Sequence, residues 1–285
     1  MSDGPVTDPG PAPGDAAPSV ALPDSLRAAV VDEFSLAFHR PFTTPIVVLV
    51  NALLTVAAWF YSPVGIRDLL FKYHGTLALP MVLASWMLSD VPATNVLGPD
   101  PVRVRAALEH PLLLQRLLLA KNVVLWTLVA PACAVLAVLI GWSDAHLVES
   151  LMTVAWILFV PVGALGVSAW VGILFPYHPR PLSWRWANRR SFGRVIVRWL
   201  TLAVTPYVLV TWIALAILYP SVLIWEATTH HDLSARISSH DFTIIVTTAI
   251  VLSVLVFLGG HRIGLRLARR RRHYLAAYLA DPDRG

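Results

Sequence analysis

The sequence predicts an all-α membrane protein, a polytopic bundle of six transmembrane helices that follows an amphipathic helix at the membrane interface. The first observation is composition: hydrophobic residues make up 56% of the chain, charged residues only 14%, and the mean hydropathy is +0.65. In a typical soluble domain about 25% of the residues are charged, so this chain has too few charges for that class. The second observation is a series of six apolar segments. The third is an asymmetric distribution of Lys and Arg.

The chain opens with two segments that are not apolar enough to cross a membrane. Residues 1–23 are rich in Pro, Gly, Asp and Ala and poor in large apolar side chains, which predicts a disordered cytoplasmic tail. Residues 24–43 have the period of an amphipathic helix, which we interpret as interfacial. Its apolar face contains Leu26, Val30, Phe34, Ala37 and Phe38. The alternative is a helix that only extends the first span into the cytosol.

Residues 44–262 form the predicted six-span domain. Its apolar segments cover approximately 44–61, 75–91, 122–141, 147–175, 200–219 and 242–260. Most of them have close to the roughly 20 residues that cross a hydrocarbon core. The second segment is the shortest and contains Pro80, which a transmembrane helix tolerates when neighbouring groups satisfy the freed carbonyl. Residues 263–285 are then a basic cytoplasmic tail.

The distribution of Lys and Arg predicts the orientation of the spans. The N-terminal arm has 2 such residues, the loop 90–122 has 4, the loop 176–199 has 6 and the segment after Gly260 has 7, all on one side. The opposite side has only Arg67, Lys72 and Arg236. Because cytoplasmic loops are enriched in Lys and Arg, both termini of this multi-pass protein of the cell membrane are predicted in the cytoplasm. Cations so close to the spans meet membrane lipids and a cytosolic partner, not nucleic acid.

The polar loop 90–122 is the segment around which we expect function to be organised. Gly98 and Asp100 predict a turn, in which Gly98 supplies a positive φ. Asp100 is placed to cap the next helix, and Pro101 suits its first position. That helix is predicted over 102–119, as one amphipathic element against the membrane surface. Its apolar positions are Val104, Leu108, Leu112 and Leu119, and its charged positions are Arg103, Arg105, Glu109 and Arg116.

Motifs for catalysis are absent from the sequence, so no catalytic residue is predicted and the chain is not expected to be an enzyme. There is no Gly-Lys pair for a phosphate-binding loop, no His-Glu pair for a zinc hydrolase and no adjacent aspartates for a magnesium site. The segment closest to a nucleophile elbow, 166–170, lacks the second glycine. Ala164, Ser168 and Gly172 are four residues apart, which favours close packing of transmembrane helices.

Two weaker features concern ligands. His230, His231 and His240 are of a type that binds transition metals, but their spacing matches no recognised site, and a solvated polar loop explains the same residues. Asn51 is the most polar side chain near the middle of a span, where it either bonds a neighbouring helix or faces a substrate path. The single cysteine, Cys133, excludes an internal disulfide. An excess of Arg over Lys, with abundant Ala and Val, is typical of a bacterium with a GC-rich genome.

The loop 90–122 resembles the cytoplasmic segment that follows the second span in the permeases of type-2 ATP-binding-cassette (ABC) exporters. The residues that carry the resemblance are Asn95, Gly98, Asp100, Leu108, Pro111, Arg116, Leu118, Leu119 and Lys121. Phe175 and Pro176, at the end of the fourth span, are also similar to a motif of that family. The family has six spans, both termini in the cytosol and an amphipathic helix before the first span.

The resemblance implies that this chain is the membrane-spanning permease subunit of an ATP-driven exporter. Such a subunit binds no cofactor itself, because ATP and Mg²⁺ are held by a separate cytosolic ABC ATPase. It works by alternating access, as a homodimer or heterodimer of permease halves. The residues expected to couple it to the ATPase are Asn95, Gly98, Asp100, Arg105, Glu109, Pro111, Arg116 and Lys121. The substrate is not indicated, because apolar bundles of this composition serve drugs, lipids, glycans and peptides alike.

Two other functions stay open from the sequence. One is a polytopic membrane enzyme of lipid or cell-envelope metabolism, which would need paired acids or a metal motif at the membrane face. The other is a membrane scaffold without transport. A neighbouring ATPase gene would favour the exporter, and a lipid-synthesis operon would favour the enzyme.

Overall fold

The computed structural model describes residues 23–39, 42–61, 77–88, 91–143, 147–178, 182–188, 190, 197–229 and 239–281. These ranges contain twelve helices and no strand. In chain order the helices are α1 (Leu26–Ala37), α2 (Thr43–Tyr61), α3 (Ala78–Met87), α4 (Val91–Thr94), α5 (Pro101–Leu108), α6 (Pro111–Ser143), α7 (Leu147–Phe159), α8 (Val162–Leu174), α9 (Leu182–Ala187), α10 (Val197–Thr229), α11 (Ser239–Arg270) and α12 (Arg272–Ala280). The predicted disordered tail, apart from Pro23, lies outside the described residues.

Four helical segments in the described ranges are long and apolar enough to cross a membrane. They are Pro111–Trp142 in α6, Leu147–Leu174 in α7 and α8, Thr211–Thr229 in α10 and His240–Arg270 in α11. Two shorter apolar stretches, Thr44–Ala57 and Ala78–Met87, belong to α2 and α3. The all-α class is therefore confirmed for the described residues, and each of the last four predicted spans overlaps one of these segments, the fifth (200–219) only over 211–219.

The helices α8 and α11 form the centre of the structure and approach each other at glycines. Gly166 packs against the backbone of Phe257, and Gly260 packs against the backbone of Gly166. A Cβ at Gly166 would lie 2.6 Å from the Phe257 backbone, and a Cβ at Gly260 would lie 2.7 Å from the Val167 side chain and 3.0 Å from the Gly166 backbone, so the short distance between the two helices favours glycine. The indole of Trp170 donates a hydrogen bond to the Gly260 carbonyl at 2.8 Å. This bond helps to fix the register of α8 against α11.

The small residues that are four apart in α8 are all buried. The Ser168 hydroxyl donates to the Ala164 carbonyl of its own helix at 2.7 Å, so it behaves as a packing residue. Gly172 packs against the carbonyl of Thr94 in α4. The stripe therefore serves helix packing, and its last member contacts the loop that leads to α5.

The segment of the predicted fourth span, 147–175, is one apolar helical stretch that is divided in two at Val160 and Pro161. α7 ends and α8 begins on either side of Val160 and Pro161, because proline lacks the N–H that would continue the hydrogen bonds of α7. Ser253 of α11 bridges this break. Its hydroxyl donates to the Val160 carbonyl at 2.6 Å and accepts from the Gly163 N–H at 2.8 Å.

The prediction of one helix over 102–119 is wrong, because the helix is interrupted at Glu109 and His110. α5 ends before this break, and α6 begins at Pro111 and continues for 33 residues. Proline disfavours helical backbone in the residue before it and has no N–H to bond the preceding turn, so a new helix begins there. The first turns of α6 thus extend the third span, and only α5 is a separate short helix.

The predicted basic tail, 263–285, is helical where the structure describes it. α11 continues to Arg270, and α12 follows after Arg271. α12 packs against α5 through an apolar cluster. The buried side chains of these two helices in the cluster are Val104, Ala107 and Leu108 of α5 and Leu275, Tyr278 and Leu279 of α12. The apolar face of α5 therefore contacts another helix of this chain, and not the membrane surface that its amphipathic pattern predicted.

Candidate functional site

The candidate site is built around α5, the helix in the loop for which the resemblance predicts a coupling role. Asp100 caps it: one carboxylate oxygen accepts from the Arg103 N–H at 3.2 Å, and the other lies 3.3 Å from Nε of the same arginine. Pro101 occupies the first helical position. The predicted cap is confirmed, and the negative charge of Asp100 lies at the positive end of the helix dipole.

Gly98 precedes this cap and is needed for a reason that the sequence did not indicate. The prediction of a positive φ is wrong, because the φ of Gly98 is outside the left-handed region. A Cβ at this position would instead overlap the carbonyl oxygen of Tyr177 and lie 2.7 Å from Oδ1 of Asn95. Glycine is required because the backbone of the loop packs directly on the segment that follows α8.

Asn95 is enclosed by the same packing. Asn95 is only 6% exposed, and its Oδ1 is buried with no hydrogen-bond partner among the described residues. An unsatisfied buried amide oxygen costs about 1–3 kcal/mol of stability. The packing of the loop around Asn95 has to offset this cost. In this conformation the side chain is not available to a second protein.

The helix α1 is fastened to this region by a buried ion pair. Nζ of Lys121 in α6 donates to Oε1 of Glu33 in α1 at 2.7 Å, although the two residues are 88 positions apart. The side chains are only 7% and 11% exposed. Removing one member of such a pair typically costs about 3–5 kcal/mol, because the remaining charge stays buried without a partner. Lys121, which the resemblance assigned to ATPase coupling, thus holds α1 to α6.

Arg103 connects α5 to two carboxylates of α1. Its guanidinium lies 4.0 Å from Glu33 and 4.0 Å from Asp32, and its own side chain is 15% exposed. We call these residues the ionic cluster; its members are Asp32, Glu33, Asp100, Arg103 and Lys121. With three carboxylates and two cations, the cluster has a net charge of −1 and joins α1, α5 and α6.

The face of α1 that packs on α6 shares only Ala37 with the predicted apolar face. Ala29, Glu33 and Ala37 are the buried residues of the helix, one turn apart. The small side chains allow α1 to approach α6 closely, and Glu33 lies between them. Leu26 and Phe38 stay 41% and 50% exposed, so part of the predicted apolar face points outward, as a helix in a membrane interface requires.

On its other side, α5 is held by the C-terminal part of the chain. The Arg271 guanidinium donates to the carbonyls of Ile173 and Leu174 at 2.9 and 2.7 Å, which satisfies the last carbonyls of α8 and places a cation at the negative end of its dipole. The imidazole of buried His178 bonds the carbonyl of Tyr278 through Nε2 at 3.1 Å, and the two rings are stacked 4.9 Å apart. These contacts connect α12 to the end of α8.

The remaining face of α5 and the first turn of α6 are open to solvent. The exposed residues there are Val102, Arg105, Glu109, His110, Pro111 and Leu112. Arg116 is half-buried. Of the residues that the resemblance predicts for coupling, Arg105, Glu109 and Pro111 are therefore accessible to a partner, whereas Asn95, Gly98 and Lys121 are buried inside this chain and act by holding the surface in place.

The weaker candidates are spread over other parts of the molecule. Asn51 is half-buried in α2, and its carbonyl accepts from the Thr55 hydroxyl at 2.8 Å. His240 is exposed at the start of α11, while His230 and His231 fall outside the described residues. The part of the chain that the structure describes contains no group of three or more His, Cys, Asp or Glu side chains arranged to hold a metal ion.

A small apolar cavity of about 50 Å³ lies beside the break between α7 and α8. Its walls come from α3, α7, α8 and α10 and from the break itself, and include Ser85, Trp156, Pro161, Ile213 and Ile217. A cavity of this size and lining accommodates a small apolar group.

Sequence reasoning did not identify Glu33, Arg103 and Arg271 as members of the site. One signal was available: Glu33 lies four residues after Ala29 and four residues before Ala37, so its neighbours on that face of the helix have small side chains. Arg271 gave no such signal, because it is one of four consecutive arginines.

The candidate site is therefore the short helix α5, which has one exposed, charged face. Its other sides contact, directly or through neighbouring residues, α1, α6, the end of α8 and α12. Comparison of the chain with protein-family models, with curated proteins and with solved structures finds no match.

Proposed function

We propose that the chain is the permease subunit of an ATP-driven exporter, that α5 is the helix through which a cytosolic ATPase acts on it, and that transport is by alternating access. The observation that supports this proposal best is the combination of an exposed charged face on α5 with ionic and apolar contacts on its other sides. Arg103 of α5 lies 4.0 Å from Glu33, whose buried ion pair with Lys121 joins α1 to α6, so α5 is connected to these helices by charges as well as by apolar packing.

The contacts of α5 suggest how a push on it reaches the spans. Arg103 would transmit a displacement to α1 through the ionic cluster. The apolar contact with α12 would transmit it to α11, and Arg271 would transmit it to the end of α8. Because α8 and α11 pack through glycines at the centre, a movement of their ends re-packs the core of the bundle.

The proposal includes six spans with both termini in the cytoplasm, for which the support is the distribution of Lys and Arg. Single cysteines at Asn188 and Ser234, in a Cys133→Ala background, test this topology. We expect an impermeant maleimide to label Ser234→Cys in intact cells and Asn188→Cys only after the cells are opened. Labelling of both from the same side would contradict the six-span arrangement.

The coupling role is tested by exchanging the two charges on the exposed face. Arg105→Glu with Glu109→Arg keeps the net charge and alters no side chain of the ionic cluster. A partner interface loses association rate and specificity when its charges are reversed. We expect the tagged variant to insert and fold normally but to lose the vanadate-sensitive ATPase that co-purifies with the wild-type chain from its native host.

The matched control exchanges two exposed charges near the start of α1, Asp24→Arg with Arg27→Glu. This control should retain the ATPase. If the α5 variant also retained a fully active ATPase, the partner surface would lie elsewhere, and the loop 176–199 would be tested next. If no ATPase accompanied even the wild-type chain, the exporter proposal would fail and the membrane enzyme and scaffold would return as the alternatives.

A further inference from the structure

The end of α11 carries a stripe of arginines that takes no part in the site described above. Arg262, Arg266 and Arg269 follow each other at helical spacing, so they lie on one side of the helix, and Arg270 is next to them. All four are exposed. We call Arg262, Arg266 and Arg269 the arginine stripe.

The packing of α11 determines where this stripe points. The opposite side of the same turns is buried, and contains Gly260, His261, Gly264, Leu265 and Ala268. Gly260 and Gly264 contact α8, and Leu265 and Ala268 belong to the apolar cluster with α5 and α12. The stripe therefore faces away from the bundle and away from α5.

The stripe also continues an apolar surface along α11. Val251, Leu255 and Leu258 precede Arg262 at the same helical spacing and are 55%, 59% and 44% exposed. In a helix that crosses a membrane, such exposed aliphatic side chains face the acyl chains of lipids. The arginines then begin where this surface ends, at the depth of the lipid head groups.

Within the described residues, the arginines of the stripe differ from Arg103 and Lys121 in having no carboxylate within 4.0 Å. The ion pairs in which both members are described residues all involve Arg103 or Lys121. Arg262, Arg266 and Arg269 have no hydrogen-bond or ion-pair partner within those ranges. Three guanidinium groups within about two helical turns repel each other, so an anion bound between them would relieve this repulsion.

We infer that the arginine stripe is a binding site for the head group of an anionic phospholipid, whose acyl chains lie along Val251, Leu255 and Leu258. The planar guanidinium bonds phosphate oxygens in pairs, which makes arginine better suited to this ligand than lysine. An acidic surface of a partner protein carries the same negative charge as the lipid head group and is the alternative occupant. The stripe favours lipid because it is continuous with the apolar surface and turned away from α5. The inference does not depend on transport activity.

The test compares lipid retention by the full-length protein in native mass spectrometry, with phosphatidylglycerol and phosphatidylcholine of identical acyl chains as probes. In the variant Arg262→Gln/Arg266→Gln/Arg269→Gln we expect the preference for phosphatidylglycerol to fall about 100-fold, because each arginine near an anionic surface contributes about a fivefold effect. Arg→Lys at the three positions keeps the charge and should retain most of the preference. The charge-matched control, Arg27→Gln/Arg190→Gln/Arg272→Gln, removes three exposed arginines outside the stripe and outside the exposed face of α5, and should keep it as well.

An equal loss in the stripe variant and in the control would overturn the inference, because net charge alone would then explain the binding. A stripe variant that keeps its lipid preference but no longer holds a co-purifying protein would overturn it in favour of a protein partner. If the triple Gln variant does not fold, Arg266→Gln alone should lower the preference about fivefold; no change in this folded single variant would overturn the inference.

Discussion

Glu33 of α1 and Lys121 of α6 form an ion pair of 2.7 Å that is buried between the two helices. The second carboxylate oxygen of Glu33 has no hydrogen bond within the described residues and lies 4.0 Å from the Arg103 guanidinium. Two cations from different elements therefore share one carboxylate. Movement of α5, which carries Arg103, changes the environment of the charge that fastens α1.

The ion pair predicts a specific pattern in a double-mutant cycle. Lys121→Met should lower stability by about 3–5 kcal/mol, because Glu33 is left buried opposite a neutral side chain. Glu33→Gln with Lys121→Met should lower it less than Lys121→Met alone, since no unpaired charge remains at this contact. The readout is the thermal unfolding midpoint of the purified protein in detergent. A double variant less stable than both single variants would mean that the pair does not interact as described.

Gly98→Ala should destabilise the loop before α5 by about 1–3 kcal/mol, because the added methyl group overlaps the Tyr177 carbonyl. The matched control is Gly259→Ala, where a Cβ meets nothing within 4 Å. Alanine in a helix is favoured over glycine by up to about 1 kcal/mol, so the control should be neutral or stabilising. Unfolding midpoints of the two variants provide the comparison, and equal midpoints would contradict the close packing of Gly98 on Tyr177.

Ser253→Ala should loosen the break between α7 and α8. The Gly163 N–H would lose its shorter hydrogen bond, to the Ser253 hydroxyl at 2.8 Å, and keep only the longer one to the Val160 carbonyl at 3.3 Å, at a cost of about 0.5–1.5 kcal/mol. Ser221→Ala is the control, because the Ser221 hydroxyl is fully buried but bonds only the Ile217 carbonyl of its own helix. We expect faster hydrogen exchange at Gly163 and its neighbours in the first variant only. The same exchange rates in both variants would show that Ser253 does not hold the break.

Arg271→Met should release α12 from the end of α8, because two hydrogen bonds from a charged donor are lost. Hydrogen exchange in α12 and α5 should accelerate about 10-fold, which corresponds to about 1.4 kcal/mol of local stability. Arg272→Met removes the adjacent, exposed arginine, whose bond to His273 is at the surface, and should leave the exchange unchanged. Identical exchange in the two variants would assign the attachment of α12 to its apolar contacts alone.

The sequence by itself determined the features that depend on neighbouring residues. The membrane class follows from the composition and length of the apolar segments, and the start of α5 follows from the chemistry of Asp100 and Pro101. The same rules, applied without tertiary contacts, failed at Pro111, where a helical period of apolar residues continues across a break. Pro111 interrupts the helix there in spite of the continuing apolar period, because proline has no N–H to donate to the preceding turn.

The tertiary structure alone decided which residues meet. Hydropathy does not distinguish an apolar face that contacts lipid from one that contacts protein, so the packing of α5 on α12 was not predictable from the pattern of α5. Two contacts join residues about 90 positions apart: Glu33 with Lys121, and Ser253 with Gly163. Local sequence patterns extend over a few residues and cannot predict contacts at such a separation. Gly98 is the clearest example. The sequence predicted that glycine is needed there for its backbone conformation, but the structure shows a different reason. The fold brings the Tyr177 carbonyl so close to Gly98 that a side chain has no room.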